Sequence, residues 1–386
     1  MKLVFYTTTL SPHQIPLARE LVKILGENEY RYIYTRRLSD QRKGMGWNET
    51  QSDWVLFELD SPERCRDILE NCDVLFVGGV RDLALFERRK AYGKKTFFCS
   101  ERWFKPKFGI LRLCLPSYFR MAIRFSRLLR DNGGFMFLPI GIHAARDMAR
   151  LCGLLAGDLR CVFKAPELKF EKRPGGRLFS SKRNNANGIM HYCLGAMRIW
   201  GYFVEGSNCD GVKHDKNEHD IKILWVGRLL DWKHVDTILH SVREYEAFRR
   251  KYDMSLKRIS LDIYGMGPEG QRLKHSVGNC GDIIQFHDPV PIAEVRNLMR
   301  NHDIYVLSSD SNEGWGAVVS EALEEGMYVI GTYEAGSSAT ILPDTNLFHA
   351  GDWQDLLRLL KVGIANVGIG PWTAKNAARE LVEIIK

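Results

Sequence analysis

Short apolar runs alternate with amphipathic stretches along almost the whole chain. This alternation predicts parallel β-strands joined by helices, an α/β fold. The predicted strands of the first half are 2–8, 31–35, 55–59, 73–79, 95–100 and 198–205. Those of the second half are 222–227, 260–265, 283–288, 304–309, 328–332 and 346–350. Among the helices between them, one has Ser61 as its predicted N-cap and Pro62 at the first helical position.

Two polar segments interrupt this pattern and predict how the chain is divided. The basic stretch 169–189 predicts a long loop, and the hydrophilic segment 206–220 predicts a linker. We therefore expect an N-terminal domain over 1–205, a C-terminal domain over 206–369 and a closing helix over 370–386. Two open α/β domains would face a cleft and bind ligands at the carboxyl ends of their strands.

Composition narrows the class of protein. The chain has 386 residues, 45% of them hydrophobic, which is enough for two cores. It has no apolar run of 18 residues, and its N-terminus predicts an opening strand instead of a secretory signal. The nine cysteines include no CxxC pair, which argues against a disulfide framework or a structural zinc site. These features favour a reducing cytoplasm.

The charge of +8 is unevenly distributed. The stretch 102–130 holds eight Lys or Arg residues and no acid, and Arg120, Arg124 and Arg127 fall at helical spacing on one face. An anionic donor, an anionic membrane or a nucleic acid could each explain a positive field. A basic amphipathic helix indicates docking on an anionic bilayer, or equally a helix packed on its own sheet with a solvated face. Apolar side chains on the same helix are Phe119, Met121, Ile123, Phe125, Leu128 and Leu129.

The segment 308–332 has the strongest chemical pattern. Gly314 and Gly316 flank Trp315 between a strand end and a helix, where glycines let backbone amides approach an anion. Glu313 stands at this turn, and Glu321 is expected more than one turn into the helix. The two carboxylates could bind a sugar and a ribose, or could be an N-cap and an ordinary surface acid.

A second motif follows the strand at 222–227. Gly227 ends that strand, and Arg228 and Lys233 follow it, where they could bind a diphosphate or could be two surface bases. Gly265 and Gly267 mark a third strand end.

The sequence offers little for a metal. It has no D-x-D motif near these residues, and the run 214–220, with His214 and His219, lies in the predicted linker as a solvated connector. We therefore expect neither a metal nor a cofactor.

In order and spacing these three pieces resemble the C-terminal donor domain of family 4 of the glycosyltransferases, which have the GT-B fold. Over roughly 222–345, Glu313 and Glu321 match the E-x7-E pattern of that family. The other matched positions are Gly227, Arg228, Lys233, Gly265, Gly267, Pro268, Ala322, Leu323, Gly326, Val329 and Ile330.

This resemblance implies a metal-independent transferase that retains configuration and forms α-linkages, with a UDP- or GDP-linked sugar as substrate. It assigns Arg228 and Lys233 to the diphosphate, Glu313 to the donor sugar and Glu321 to the ribose. The catalytic candidates are thus Arg228, Lys233 and Glu313. The donor-binding candidates are Gly227, Gly265, Gly314, Trp315, Gly316 and Glu321. The resemblance also implies that helix 370–386 crosses back onto the first domain.

The N-terminal half departs from the family pattern. The loop 7–16 lacks the usual glycines, and Ser100, Glu101 and Arg102 stand where many members have a histidine. Its segments 11–14, 46–49, 100–106 and 138–147 resemble members that assemble bacterial polysaccharides. His13, Ser100 and His143 are the candidates for the acceptor side. The expected acceptor is a glycan or polyprenyl-linked glycan, reached from the cytoplasm or from the inner face of the plasma membrane.

Two other classes of protein compete with this hypothesis. An epimerase or inverting transferase of the same architecture should lack the paired spacing of Glu313 and Glu321 after the Arg–Lys element. A basic module that binds RNA or lipid would explain the charge. The sequence has no interleaved aromatic stacking motifs, however, so no nucleic acid is expected as partner.

Overall fold

The computed structural model describes residues 1–40, 52–80, 82–130, 134–180, 193–204, 220–363 and 372–386. The chain forms two compact units, Met1–Glu205 with Trp372–Lys386, and Gly206–Pro371. We call them the first unit and the second unit. The predicted segments 46–49 and 206–219 lie outside the described residues.

The first unit is built on a parallel sheet of six strands in the order β3-β2-β1-β4-β5-β6. The strands are β1 Leu3–Thr7, β2 Tyr30–Tyr34, β3 Val55–Phe57, β4 Val74–Gly78, β5 Lys95–Ser100 and β6 Phe135–Pro139. The helices are α1 Ile15–Leu25, α2 Pro62–Asn71, α3 Leu83–Ala91, α4 Pro116–Arg130, α5 Ile142–Leu155 and α6 Leu159–Phe163. Apolar strands buried on both faces are typical of such a parallel sheet.

The second unit repeats this order in the sheet β11-β10-β9-β12-β13-β14. Its strands are β9 Asp220–Val226, β10 Arg258–Tyr264, β11 Ile284–His287, β12 Ile304–Leu307, β13 Tyr328–Thr332 and β14 Leu347–Phe348. Its helices are α7 Val235–Tyr252, α8 Gly270–Ser276, α9 Ile292–Arg300, α10 Val318–Glu324, α11 Gly336–Ile341 and α12 Trp353–Val362. Both sheets thus have the Rossmann order, and the prediction of two Rossmann-like α/β domains is confirmed.

The last helix, α13 Ala374–Ile385, belongs to the first unit, where it packs against α1. Most of its apolar side chains, including Ala378 and Leu381, are buried. Lys95 Nζ donates a hydrogen bond to the Ile385 carbonyl at the end of this helix.

Two local predictions are wrong and one is confirmed. The predicted strand 198–205 is not formed over its described residues 198–204, which make only isolated bridges: Trp200 with Ile140 next to β6, and Arg198 with Arg177. Ile199 exchanges its backbone hydrogen bonds with Gly175 and Gly176 instead. The stretch 169–189, predicted as a loop, begins instead within a hairpin of two strands, β7 Leu168–Phe170 and β8 Leu178–Ser180. Gly175 and Gly176 lie between these strands, where the chain turns back. Ser61 is the N-cap of α2 and Pro62 its first residue, as predicted, although the Ser61 side chain makes no capping hydrogen bond.

Buried apolar side chains from the strands and flanking helices fill the core of each unit. None of the helices in the described ranges is both long and apolar enough to span a bilayer.

Candidate functional site

Three neighbouring strands of the second unit, β10, β9 and β12, end at the same edge of the sheet. The loops that follow them, 227–234, 265–269 and 308–317, carry most of the predicted site residues. This edge lies at the point where the strand order reverses, which is the usual ligand-binding position in open α/β sheets.

Glycines hold the first two loops in direct main-chain contact. The Gly227 amide donates to the Tyr264 carbonyl at 3.0 Å, and the Leu229 amide donates to the Met266 carbonyl at 2.9 Å. A Cβ on Gly265, whose φ is +150°, would lie 1.8 Å from the Gly227 oxygen. A side chain cannot fit there, so Gly265 fixes the path of both loops.

Lys233 and Glu313, predicted from separate motifs, form an ion pair across the loops. Lys233 Nζ donates to Glu313 Oε2, and Ser309 Oγ donates to the same oxygen at 3.0 Å. The side chains of the pair are 17% and 14% exposed, and the ammonium lies 4.6 Å from the centre of the Trp232 ring. The two charges are therefore held in place but remain open to a ligand.

Hydrogen bonds to main-chain carbonyls also join the loops 227–234 and 308–317. Ser308 Oγ donates to the Lys233 carbonyl at 2.5 Å, and the Asp310 amide donates to the Trp232 carbonyl at 3.0 Å. His234 adopts φ 45° and ψ 45°, a left-handed conformation that is uncommon for a residue with a side chain. Ser308, Ser309 and His234 were missed from the sequence, although two polar residues ending a buried strand were a usable signal.

Arg228 lies on the same edge but is exposed. Lys233, in contrast, already forms an ion pair with Glu313. Among the residues the structure describes, no carboxylate or hydrogen-bond acceptor pairs with the Arg228 guanidinium. Arg228 is thus a cation available to an incoming anion.

Glu321 lies in the first turn of α10, not more than one turn into the helix as predicted. Gly316, with φ +83°, delays the start of the helix to Val318. Burial raises the pKa of Glu321, and Arg296 offsets part of this effect. Within the described chain, no side chain or amide donates a hydrogen bond to this carboxylate. A donor group on a ligand would therefore satisfy it.

The turn before α10 differs from the prediction in one respect. Trp315 was predicted to bind the ligand, but its side chain is only 1% exposed. It could therefore contact a ligand only through its main chain. Gly336 approaches so closely that a Cβ on it would lie 2.3 Å from the Gly314 oxygen. Ser337 continues this contact, since its amide donates to the Trp315 carbonyl at 2.8 Å and its hydroxyl to the Gly316 carbonyl at 2.9 Å.

A buried network of ion pairs joins the end of α10 to α9. Both oxygens of Glu325 are engaged, by Arg296 Nε and by Arg300 Nε at 2.7 Å, and the Glu325 side chain is 1% exposed. Arg296 also lies 3.1 Å from Glu324. This network, which the sequence did not reveal, ties α10 to α9.

The three acceptor-side candidates lie at strand ends of the first unit. The His13 ring stacks on Tyr202 with ring centres 5.9 Å apart, and burial lowers the pKa of His13. Tyr202 donates to Glu101 at 3.2 Å, and Ser100 Oγ donates to the Glu101 carbonyl at 3.0 Å. His143 instead lines a separate pocket of the same unit.

The predicted basic face exists on α4, where Arg120, Arg124 and Arg127 are all exposed. Arg124 is bound by Glu87 through two hydrogen bonds of 2.9 and 2.6 Å. In the described ranges, no group of three or more His, Cys, Asp or Glu side chains is arranged to hold a metal ion.

Sequence comparison matches part of the chain. Residues 210–365 match the family model described as Glycosyl transferases group 1. The chain is 24% identical over 144 residues to an uncharacterized glycosyltransferase of Methanocaldococcus jannaschii, a match that covers 37% of this chain. It is 27% identical over 124 residues, 32% of this chain, to the GtfA subunit of a UDP-N-acetylglucosamine–peptide N-acetylglucosaminyltransferase of Streptococcus pneumoniae. The chain spans only 35% and 22% of the lengths of these two relatives.

Solved structures match the whole chain. The lipopolysaccharide outer core galactosyltransferase WaaB, in its apo form, has a TM-score of 0.59 at 13% identity, covering 100% of this chain and 99% of that one. Anabaena Alr3699/HepE in complex with UDP has a TM-score of 0.58 at 12% identity, covering 99% and 95%. A trehalose-6-phosphate synthase studied for glycosyltransfer with retention has a TM-score of 0.53 at 10% identity, covering 100% and 95%. The chain therefore has the GT-B fold that its motifs predict, and residues 210–365 match the model of the glycosyl transferases group 1.

Proposed function

We propose that this chain is a retaining, metal-independent glycosyltransferase. It would move a hexosyl-type sugar from a nucleoside-diphosphate donor to a hydroxyl of a glycan or lipid-linked glycan and form an α-linkage. The observation that carries the proposal is the Lys233–Glu313 ion pair, which joins two predicted motifs at one strand edge. Arg228 and Glu321 lie on the same edge, and neither side chain has a hydrogen-bond partner among the described residues.

The cations of this edge suit a diphosphate. Arg228 and Lys233 would bind its oxygens and stabilise the negative charge that grows as the bond from the anomeric carbon to the phosphate oxygen breaks. Because Lys233 already holds Glu313, a bound diphosphate would share or replace that contact. Glu313 would then accept hydrogen bonds from the sugar hydroxyls, so the same pair orders both halves of the donor.

Glu321 suits the ribose. Its carboxylate is desolvated and has no donor among the described residues, so two ribose hydroxyls would supply the missing hydrogen bonds. The UDP bound to the HepE structure supports a uridine donor, and the UDP-N-acetylglucosamine in the name of the pneumococcal relative supports it too. A GDP-linked sugar uses the same diphosphate contacts and remains the alternative donor.

The trehalose-6-phosphate synthase studied for transfer with retention supports the same stereochemistry here. In such a reaction the nucleoside diphosphate leaves with the bonding electron pair, and the acceptor oxygen attacks the same face of the sugar. A phosphate oxygen then accepts the proton of the acceptor hydroxyl. WaaB, a lipopolysaccharide outer core galactosyltransferase, supports a role in bacterial surface polysaccharide synthesis.

We also propose that the enzyme works in the cytoplasm, bound peripherally to the inner face of the plasma membrane. Four large apolar side chains lie exposed in the segment that leads into α4 and in its first turn: Phe108 (55%), Leu111 (67%), Leu115 (57%) and Phe119 (40%). We call these four the apolar ridge. An exposed apolar ridge that is followed along the chain by exposed arginines would be complementary to an anionic bilayer.

A panel of nucleotide sugars tests the reaction. UDP-glucose, UDP-galactose, UDP-N-acetylglucosamine and GDP-mannose would be assayed for slow hydrolysis and for a shift in unfolding temperature. With the best donor, Glu313→Ala and Lys233→Ala should each lower turnover by about 100-fold or more while the protein stays folded. The exposed Lys257→Ala serves as a matched control that should keep wild-type turnover. Undiminished turnover in both site variants would overturn the assignment.

Flotation with anionic and neutral vesicles tests the membrane contact. Leu111→Ser/Leu115→Ser and Arg120→Glu/Arg124→Glu/Arg127→Glu should each release the protein from anionic vesicles. Binding equal to wild type in both variants would refute the membrane proposal and leave the chemistry untouched.

A further inference from the structure

A pocket of about 350 Å³ lies in the first unit, at the carboxyl ends of β5 and β6. One face of α5 contributes His143, Arg146, Asp147 and Arg150, which fall at helical spacing. Arg102, just after β5, lines it too, and the segment between α6 and β7 closes it with Lys164 and Glu167. Four permanent cations thus share one pocket with two carboxylates.

The carboxylates of this pocket are already occupied. Asp147 is 3% exposed and accepts hydrogen bonds from the Trp103 and Phe104 amides, both at 3.0 Å. It also lies 3.5 Å from Arg102 Nε, so it neutralises Arg102 and fixes the turn after β5. Glu167 acts electrostatically on Arg146.

The remaining cations have unused donors. Arg150 Nε is buried and has no hydrogen-bond partner among the residues that the structure describes. Within the described part of the chain, neither Arg146 nor Lys164 makes a side-chain hydrogen bond or a close ion pair. Burial and the nearby Arg102 lower the pKa of Arg146, and Glu167 opposes part of this effect. Buried donors and like charges held this way are costly unless an anion joins them.

We propose that this pocket binds an oxyanion group, phosphoryl or carboxylate, carried by the acceptor. Guanidinium groups donate in a fixed fork that matches both kinds of oxyanion, and the first turns of a long helix add partial positive charge. A neutral sugar would leave the repulsion uncompensated. The identity of the carrier rests on the proposed function, whereas the binding of the anion does not. His143 then contacts the acceptor through this pocket, apart from His13 and Ser100.

Titration with inorganic phosphate, D-glucuronate and neutral glucose tests the pocket. Phosphate would also bind the donor edge of the second unit, so the titrations use the Arg228→Ala/Lys233→Ala protein. Phosphate or glucuronate should bind saturably to this protein, and glucose should not. Adding Arg150→Gln or Arg146→Gln should weaken anion binding about tenfold or more.

A matched control and a second variant separate binding from folding. Arg160→Gln removes the same charge from an exposed position of α6 outside the pocket, and it should leave anion binding unchanged. If Arg150→Gln lowers the unfolding temperature, the anion affinities of Arg146→Gln and Lys164→Gln test the proposal instead, because these variants keep the buried Nε of Arg150.

Preference for phosphate over glucuronate indicates a phosphoryl carrier, and the reverse indicates a uronic acid. Anion binding that no pocket variant changes would overturn the proposal. UDP binding by the wild-type protein is measured separately, so its absence would refute the proposed function alone.

Discussion

The two sheets have the same strand order, yet the loops at their carboxyl ends are built in different ways. In the second unit, glycines hold neighbouring loops in main-chain contact, and Gly265 and Gly336 leave no room for a Cβ. In the first unit, the polar groups sit on a helix face and on a distant loop, around a pocket rich in cations. Equal topology therefore sets where a ligand binds but not how tightly the site is fixed.

The proposed function gives this contrast a chemical reason. A nucleoside diphosphate is the same size whatever sugar it carries, so a rigid cradle of glycines and a few fixed charges suits it. Acceptors vary in shape and charge. Side chains on α5 and in the segment 164–167 can change without altering the backbone path of the sheet. Under the proposed function, the second unit would recognise the donor mainly through its main chain, and the first unit would recognise the acceptor through side chains.

The largest expected loss of stability comes from adding a methyl group at Gly265 in the second unit. Gly265→Ala should lower the free energy of unfolding by about 3–5 kcal/mol, because its Cβ would overlap the Gly227 oxygen at a left-handed φ. At Gly78, which ends β4 in the first unit, a Cβ would meet the end of the Gln14 side chain at 3.1 Å and the Thr7 methyl at 3.3 Å instead of a backbone oxygen. Gly78→Ala should cost about 1 kcal/mol or less. Urea unfolding followed by circular dichroism measures both.

Gly281→Ala is the control for this pair, because its φ is −64° and no atom lies within 4 Å of the added Cβ. It should be close to neutral. If Gly265→Ala unfolds at the same urea concentration as Gly281→Ala, the loops of the second unit are not interlocked as described.

The sequence predicted most of this second unit and less of the first. Strand positions, Lys233, Glu313 and the glycine turns follow from short local patterns, because each loop begins where a buried strand stops. The α9–α10 ion network and the pocket of the first unit could not be predicted. They depend on residues far apart in sequence, such as Arg102 and Lys164, whose meeting is decided by tertiary packing. The late start of α10 depends on the φ of a single residue, Gly316.

An intermediate effect should come from the ion pairs. Glu325→Ala should cost about 3 kcal/mol, because it leaves Arg296 and Arg300 without their buried acid. In the first unit, Glu87→Ala removes an exposed pair with Arg124 and should barely move the unfolding midpoint. Thermal and urea unfolding of both variants would measure the difference. Equal losses would show that the network behind α10 supports it no better than a surface pair does.

The smallest effect concerns Glu321, whose burial raises its pKa above the ordinary 4.5. A carboxyl with a raised folded-state pKa binds more protons when folded, so its ionisation destabilises the fold as pH rises through that range. Glu321→Gln should therefore stabilise the protein at pH 7.5, and the gain should shrink as pH falls toward 4.5. Glu324→Gln, three residues later on the same helix, should do the opposite, because it removes the contact of 3.1 Å with Arg296. Urea midpoints at pH 7.5 and 5.0 measure both variants, with UDP affinity recorded alongside. A Glu321→Gln protein that is less stable than wild type at pH 7.5 would mean that the carboxylate is satisfied within the fold, and its assignment to the ribose would lose its physical basis.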